Sequence, residues 1–307
     1  MPISRRGFLA ATAASTAALT IPRCLLSARR QSLPLAFSTL GCPTWELPKI
    51  LEFAEANQFA AIELRGLLGS LDLPSLSEFS PNRIAQTIRE IAGHGIRIAC
   101  VSSSSAMHES DPPKRQQSLA DAKRFIDLAS ALGAPYVRVF GNDIKGDKEE
   151  VITRVAAGMR TLADYAGPRG VTVILESHGD FTDSATLKEV LLRADSPHAA
   201  LLWDAHHTFV SSNEEPEDTV RELGKWIRHT HLKDSVAEGK DRRYVLTGTG
   251  EVPIERQVRA LQGIDYKGFY CFEWEKVWHP ELQEPAIAIP DYFRVVSAYL
   301  ENPASKP

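Results

Sequence analysis

The sequence predicts an α/β protein built as a closed (β/α)8 barrel, and three observations carry that reading. From Leu35 onward, short apolar runs alternate with longer amphipathic ones. Eight such runs fit into roughly 270 residues, the usual size of a closed barrel of eight β/α units. No glycine-rich phosphate fingerprint follows the first run at Leu40, as an open dinucleotide-binding sheet would require.

The predicted strands are Leu35–Leu40, Ala61–Leu64, Ile96–Val101, Tyr136–Phe140, Thr172–Glu176, Ala200–Asp204, Ile227–Lys233 and Phe269–Trp274. Each is short and apolar, as a strand covered on both faces must be. Between them, Ile84-Ile88-Ile91, Phe125-Leu128-Leu132, Val151-Val155-Met159-Leu162 and Leu187-Val190-Leu191 repeat at helical spacing. Ser80-Pro81 and Ser184 read as helix starts. The longest predicted loops, Ser102–Lys114 and Asp234–Val252, both follow strands, which puts them on the catalytic face of a barrel. No linker divides the chain, so residues 31–307 form one predicted domain.

Ahead of it, residues 1–30 read as an export signal. Arg5 and Arg6 precede Phe8-Leu9 and a small, uncharged apolar run from Ala10 to Ile21. The arrangement resembles a twin-arginine signal, which implies a periplasmic protein. The apolar run is shorter than the roughly 20 residues that span a bilayer, so no stable membrane anchor is expected. Ile21-Pro22-Arg23 before Cys24 makes a poor lipidation site.

Composition narrows the function. The chain is 43% hydrophobic and 24% charged, enough to bury a core, and four cysteines are too few for a disulfide scaffold. Formal charge is −4, but the first 30 residues carry five arginines and no acid, leaving the remainder at −9. Such a body lacks the broad positive field that binding to phosphate backbones needs, so no nucleic-acid partner is expected. Cys42, Cys100 and Cys271 sit in strand-like runs and read as small buried hydrophobes.

The chemistry is concentrated in the second half. Strands five to eight end in Glu176-Ser177-His178, Asp204-Ala205-His206-His207, His229-Thr230-His231-Leu232-Lys233 and Glu273-Trp274-Glu275. One terminal acid is an ordinary helix cap, but four consecutive strands each ending in a metal donor are hard to obtain from capping alone. Glu176, Asp204, His231 and Glu273 form a hard, oxygen-rich set suited to one divalent ion: Mn²⁺ first, with Mg²⁺, Co²⁺ or Zn²⁺ also accommodated. Such an ion could take two adjacent oxygens of a sugar and acidify the neighbouring C–H. Lys233, two residues after His231 and on the same face, is a candidate contact to a substrate oxygen. His178 shares a face with Glu176 and is a further candidate. Glu63 and Arg138, charges at inward positions of strands two and four, are read as an ion pair or as substrate contacts. Trp45, Trp274 and Trp278 are candidate apolar walls.

This half of the chain resembles the xylose isomerase-like superfamily of barrels, the sugar isomerase and epimerase group that also holds inosose dehydratase and apurinic-site endonucleases. Asp204-x-x-His207 resembles its strand-six signature, and His229-Thr230-His231-Leu232-Lys233-Asp234 its strand-seven one. Gly248-Thr249-Gly250-Glu251-Val252 and Gly268 before Glu273 complete the pattern. The resemblance implies that Glu176, Asp204, His231 and Glu273 are metal ligands. It also implies that Glu176 and Glu273 exchange the substrate proton through an enediolate, and that His207 holds a substrate oxygen.

The expected activity is therefore a metal-dependent isomerase or epimerase acting on a small-molecule sugar or keto-sugar, with a lyase or dehydratase on keto-sugars or keto-glycosides as the alternative. The endonuclease branch of the family this chain resembles carries additional histidines on strands two and three, where Glu63-Leu64-Arg65 and Ser102–Ser105 stand here, so the resemblance implies that a phosphodiesterase is the lesser reading. A non-catalytic sugar binder would not need two bases beside a metal. The sequence leaves room for a homo-oligomer.

Overall fold

A computed structural model describes residues 32–302. The expected export signal, residues 1–30, lies outside the described residues. Eight parallel strands close into a barrel: β1 (Leu35–Ser38), β2 (Ala61–Leu64), β3 (Arg97–Ala106), β4 (Tyr136–Asn142), β5 (Thr172–Gly179), β6 (Ala199–Asp204), β7 (Ile227–Leu232) and β10 (Tyr270–Phe272). An antiparallel hairpin, β8 (Asp234–Glu238) and β9 (Asp241–Val245), projects after β7. The surrounding helices are α1 (Leu47–Ala56), α2 (Ile84–Gly93), α3 (Pro112–Leu132), α4 (Lys148–Ala166), α5 (Ser184–Ala194), α6 (Ala205–Ser212), α7 (Pro216–Leu223), α8 (Ile254–Gly263) and α9 (Pro285–Glu301). Their apolar stripes pack on the outer faces of the strands and form the main core. Among the described residues no helix is long and apolar enough to cross a membrane.

Three sequence expectations are corrected. The run Ser102–Ala106 is strand, not loop, and α3 begins already at Pro112. Serines tolerate that place because Ser103 Oγ donates to the Arg138 carbonyl at 2.7 Å, so the hydroxyl is not wasted in the interior. The stretch 234–252 holds the hairpin rather than an irregular loop. Finally, α2 starts at Ile84, past Ser80-Pro81, whereas α5 does start at Ser184 as expected, capped by Asp183, whose carboxylate accepts from Thr186 N at 2.8 Å.

Inside, the barrel is filled from the bottom by small residues. Ala36, Ala61, Ala99 and Cys271 form one cluster and Cys100, Ile174, Ala200 and Leu202 another. The expected burial of Cys42, Cys100 and Cys271 as free thiols is observed. Above this apolar floor the inward positions turn polar, and there the site begins.

Candidate metal centre and active site

Strand β7 sets the geometry. Its register against β6 shifts between Leu201 and Leu202, so that Leu202 pairs with His229 and Asp204 with His231. Alternation then sends His229, His231 and Lys233 inward at three successive levels, all buried.

His231 is held from below. Its Nε2 lies 2.8 Å from Glu63 Oε2, and the same oxygen is 2.8 Å from His229 Nε2, while Ser38 Oγ donates to Glu63 Oε1 at 3.0 Å. Burial works against ionisation of Glu63, but the two imidazoles outweigh it and hold the carboxyl below its usual range. With Nε2–H committed to Glu63, the other ring nitrogen points into the opening above.

That nitrogen, His231 Nδ1, has no hydrogen-bond partner. It faces Glu273 Oε1 at 3.2 Å, Glu176 Oε1 at 3.6 Å and Asp204 Oδ2 at 3.9 Å. One donor atom from each of Glu176, Asp204, His231 and Glu273 lies within 4.8 Å of the others, and all four residues are buried. Burial opposes a charge on this ring, but Glu273, Glu63 and Glu176 outweigh it and raise its pKa well above the usual value, so a cation, whether a proton or a metal ion, is favoured at Nδ1. The donors fit a hard divalent cation, and the carboxylate–histidine arrangement behind it is the kind that orients a metal ligand. A second gathering, Glu63, His229, His231 and Cys271, is also close enough to hold an ion. There, however, the carboxylate is already spent on two imidazoles and a hydroxyl.

The charge count agrees. Five carboxylates, Glu63, Glu176, Asp204, Glu273 and Glu275, share this region with the three cations Arg65, Arg138 and Lys233. With His231 neutral, as a metal ligand must be, the excess is two negative charges, which one divalent ion would cancel; without an ion, a proton on His231 offsets one of them. Burial opposes ionisation of Glu176, yet the Arg138 guanidinium and His231 hold its pKa down at about 2. For Glu273, His231 and Lys233 likewise overcome burial and keep it well below the usual carboxylate range.

Lys233 is neither exposed nor free. Its Nζ lies 2.7 Å from Asp204 Oδ2, 2.5 Å from Glu273 Oε2 and 2.7 Å from Glu275 Oε1. Burial favours the neutral amine, but these three acids raise its pKa well above the usual value. The Glu63–Arg138 pair expected from the sequence does not form. Arg138 instead places Nε 3.0 Å from Glu176 Oε2 and lays its guanidinium 3.9 Å above the Phe140 ring centroid. The reason is register: Phe140 pairs with Glu176 across β4 and β5, whereas Glu63 faces β7 across the barrel.

The remaining candidates line the mouth. His207, on the first turn of α6, has Nε2 3.5 Å from Asp204 Oδ2 and is partly exposed. Asp204 caps that helix through the His206 and His207 amides, so one side chain fixes both helix and cup. His178 packs edge-on against His207 at 5.1 Å and at a tilt against Phe140 at 4.7 Å, with Nδ1 3.2 Å from Asn142 Oδ1. Burial lowers its pKa. Of the tryptophans expected as walls, Trp45 packs edge-on against Phe53 at 4.9 Å. Trp274 is buried and stacked on Phe272, and Trp278 is half exposed.

Several residues escaped the sequence reading. Tyr244 of β9 donates its hydroxyl to Glu275 at 2.9 Å and packs against His206, whose Nε2 is 2.8 Å from Ser235 Oγ. The glycine-rich stretch has a plain structural role. Gly248, Gly250 and Val252 donate backbone N–H groups to the buried Asp234 carboxylate, and a Cβ on Gly250 would run into that carboxylate. His229, Arg65 and Glu275 were visible as charges in apolar runs, but their partners come from distant strands.

A family profile described as "Xylose isomerase-like TIM barrel" matches residues 51–292. Inosose dehydratase from Bacillus cereus (strain AH820) is 26% identical over 159 residues, covering 46% of this chain and 51% of that protein. The chain therefore spans about half the length of the curated relatives it matches. Among solved structures, the IOLI protein with a bound zinc atom superposes with a TM-score of 0.72 at 20% identity, covering 86% of this chain and 98% of that one. D-Psicose 3-epimerase from Clostridium cellulolyticum H10, solved with D-tagatose, gives 0.70 at 17% identity over the same shares of the two chains.

Proposed function

This chain belongs to the xylose isomerase-like TIM barrel family, and we propose that it is a divalent-metal-dependent isomerase or epimerase of a sugar or keto-sugar, working by carboxylate-mediated proton transfer through an enediolate. The observation that supports it best is the placement of Glu176 and Glu273. Both belong to the four-donor cup, Glu176 on β5 and Glu273 directly after β10, with β6 and β7 between the two strands. A substrate seated on the cup would have one carboxylate toward each side.

Glu176, Asp204, His231 and Glu273 would hold the ion, for which Mn²⁺ is proposed and Mg²⁺, Co²⁺ or Zn²⁺ would also suit the donors. When bound, it supplies Lewis acidity that polarises a substrate carbonyl and acidifies the C–H beside it. Glu273 and Glu176 would take and return the carbon-bound proton. Arg138 beside the one and Lys233 beside the other keep both ionised, the form a base needs. His207 and His178 would hydrogen-bond substrate oxygens at the mouth.

The inosose dehydratase relatives favour a second reading, loss of water from a keto-sugar or keto-glycoside. It shares the proton abstraction and adds a donor for the departing hydroxyl. Lys233, enclosed by three carboxylates, is poorly placed to give up its proton, so the partly exposed His207 is the better donor. We also propose export by the twin-arginine route, on the order of charges and apolar residues in 1–30.

The test is uptake of solvent deuterium across a panel of ketoses, inososes and keto-glycosides, with the protein loaded with Mn²⁺. Exchange without water loss marks the isomerase or epimerase, and exchange with water loss marks the lyase. No exchange in any member would overturn both readings.

A further inference from the structure

The mouth holds one feature that the proposed chemistry does not use. Arg65, one residue past β2, has a buried guanidinium whose Nη1 has no hydrogen-bond partner. Among the described residues it makes no ion pair within 4.0 Å, although every other buried Arg or Lys in the mouth does. Burial, then repulsion from Arg138, lower its pKa to about 10.

Arg138 shares the condition. Its Nε meets Glu176, but its Nη1 is buried and without a partner. The register brings the two together: Leu64 pairs with Val101, Val101 with Val137, and Ser102 with Arg138. One step beyond Leu64, Arg65 therefore stands in the row that continues through Ser102 to Arg138, with β3 between them. Two like charges have been brought near each other out of water, each with an unpartnered N–H, on the strands that run from the edge of the donor set, where Arg138 meets Glu176, round to β2. A buried cation without a partner is costly. Such a pair is what binding of an anion between them would repay, with the charge-assisted N–H···O bonds that guanidinium makes best.

We propose that Arg65 and Arg138 form a subsite for a carboxylate carried by the substrate, so that the preferred substrate is a polyhydroxy keto acid rather than a neutral ketose. The inference rests on the proposed function for the reacting end of the molecule, which would sit on the metal cup. A carboxylate suits the subsite better than a phosphate: two free Nη1 donors match two oxygens and a single charge. Arg65 is then a specificity-determining residue, with no part in moving the proton.

The experiment uses the full chain loaded with Mn²⁺ and a set of probes alike except for the end group: D-fructose, D-fructuronate and D-fructose 6-phosphate. Calorimetric binding and deuterium exchange at carbon are measured for each. Tenfold or greater tighter binding of D-fructuronate than of the other two is expected. Arg65→Met is expected to erase that preference through weaker binding, with the retained fold checked by circular dichroism, and Arg65→Lys to restore part of it. Equal binding of all three, binding of none, preference for the phosphate, or a preference that survives in Arg65→Met would each overturn the subsite. Selective binding without exchange would leave the subsite standing and count against the proposed function alone.

Discussion

On the wall made by β5, β6, β7 and β10, each strand sends one side chain to a common point, whereas on the wall made by β1 to β4 the inward side chains serve one another or point across. The first wall supplies Glu176, Asp204, His231 and Glu273 within 4.8 Å. The second supplies Ser38, Glu63, Arg65, Ser102 and Arg138, hydroxyls and charges with a single acid among them. That acid reaches over the barrel axis to hold His229 and His231. The difference teaches a division of labour: one wall carries the donors, and the other fixes their orientation and, by our inference, reads the far end of the substrate.

The sharpest way to break this contrast is at a base on the donor wall. Glu273→Gln should lower kcat by about 10²–10⁴-fold, the usual worth of a general base, with an unchanged circular dichroism spectrum. Wild-type turnover in that variant would remove Glu273 from the chemistry. Next in size is Lys233→Met. It leaves Asp204, Glu273 and Glu275 crowded without their ammonium, and chemical denaturation should show a loss of about 3–5 kcal/mol, the cost of breaking a buried ion network. Added Mn²⁺ should recover part of that loss by binding the same carboxylates.

The contribution of the opposite wall is tested by Glu63→Gln. Chelator competition should show divalent-metal affinity reduced by about 10–100-fold, the range seen when a ligand's orienting partner is lost. Saturating metal should restore most activity, which separates an orienting role from a catalytic one. Smallest is Ser103→Ala, which removes the hydroxyl that donates to the Arg138 carbonyl and accepts, at a longer 3.2 Å, from Ser105 N–H. A loss of about 1 kcal/mol in the same denaturation measurement is expected, with metal affinity unmoved.

The donor wall was legible in the sequence, and the other wall was not, for a physical reason. An acid closing an apolar run is a local anomaly, and Glu176, Asp204 and Glu273 each show it within one strand. The alternation of His229, His231 and Lys233 likewise follows from strand geometry alone. Pairings across the barrel depend on register. The shift between Leu201 and Leu202 and the one between Ile62 and Glu63 decide which charges meet, and no local pattern announces them. Glu63 and Arg138 were thus recognised as inward charges but matched with each other, when each belongs to another strand. The serine run of β3 looked like loop because the buried Ser103 hydroxyl finds its carbonyl partner only once β4 is alongside.

The account turns on the claim that His231 Nδ1 and the three carboxylates around it are the donors of a metal centre. The most direct measurement is elemental analysis of protein purified without chelators, alongside Asp204→Asn and His231→Ala. About one divalent ion per chain is expected in the wild type, the number that cancels the excess charge of the buried cluster, and close to none in either variant. A wild type that holds no divalent ion even after incubation with Mn²⁺, or variants that bind as much as the wild type, would contradict it.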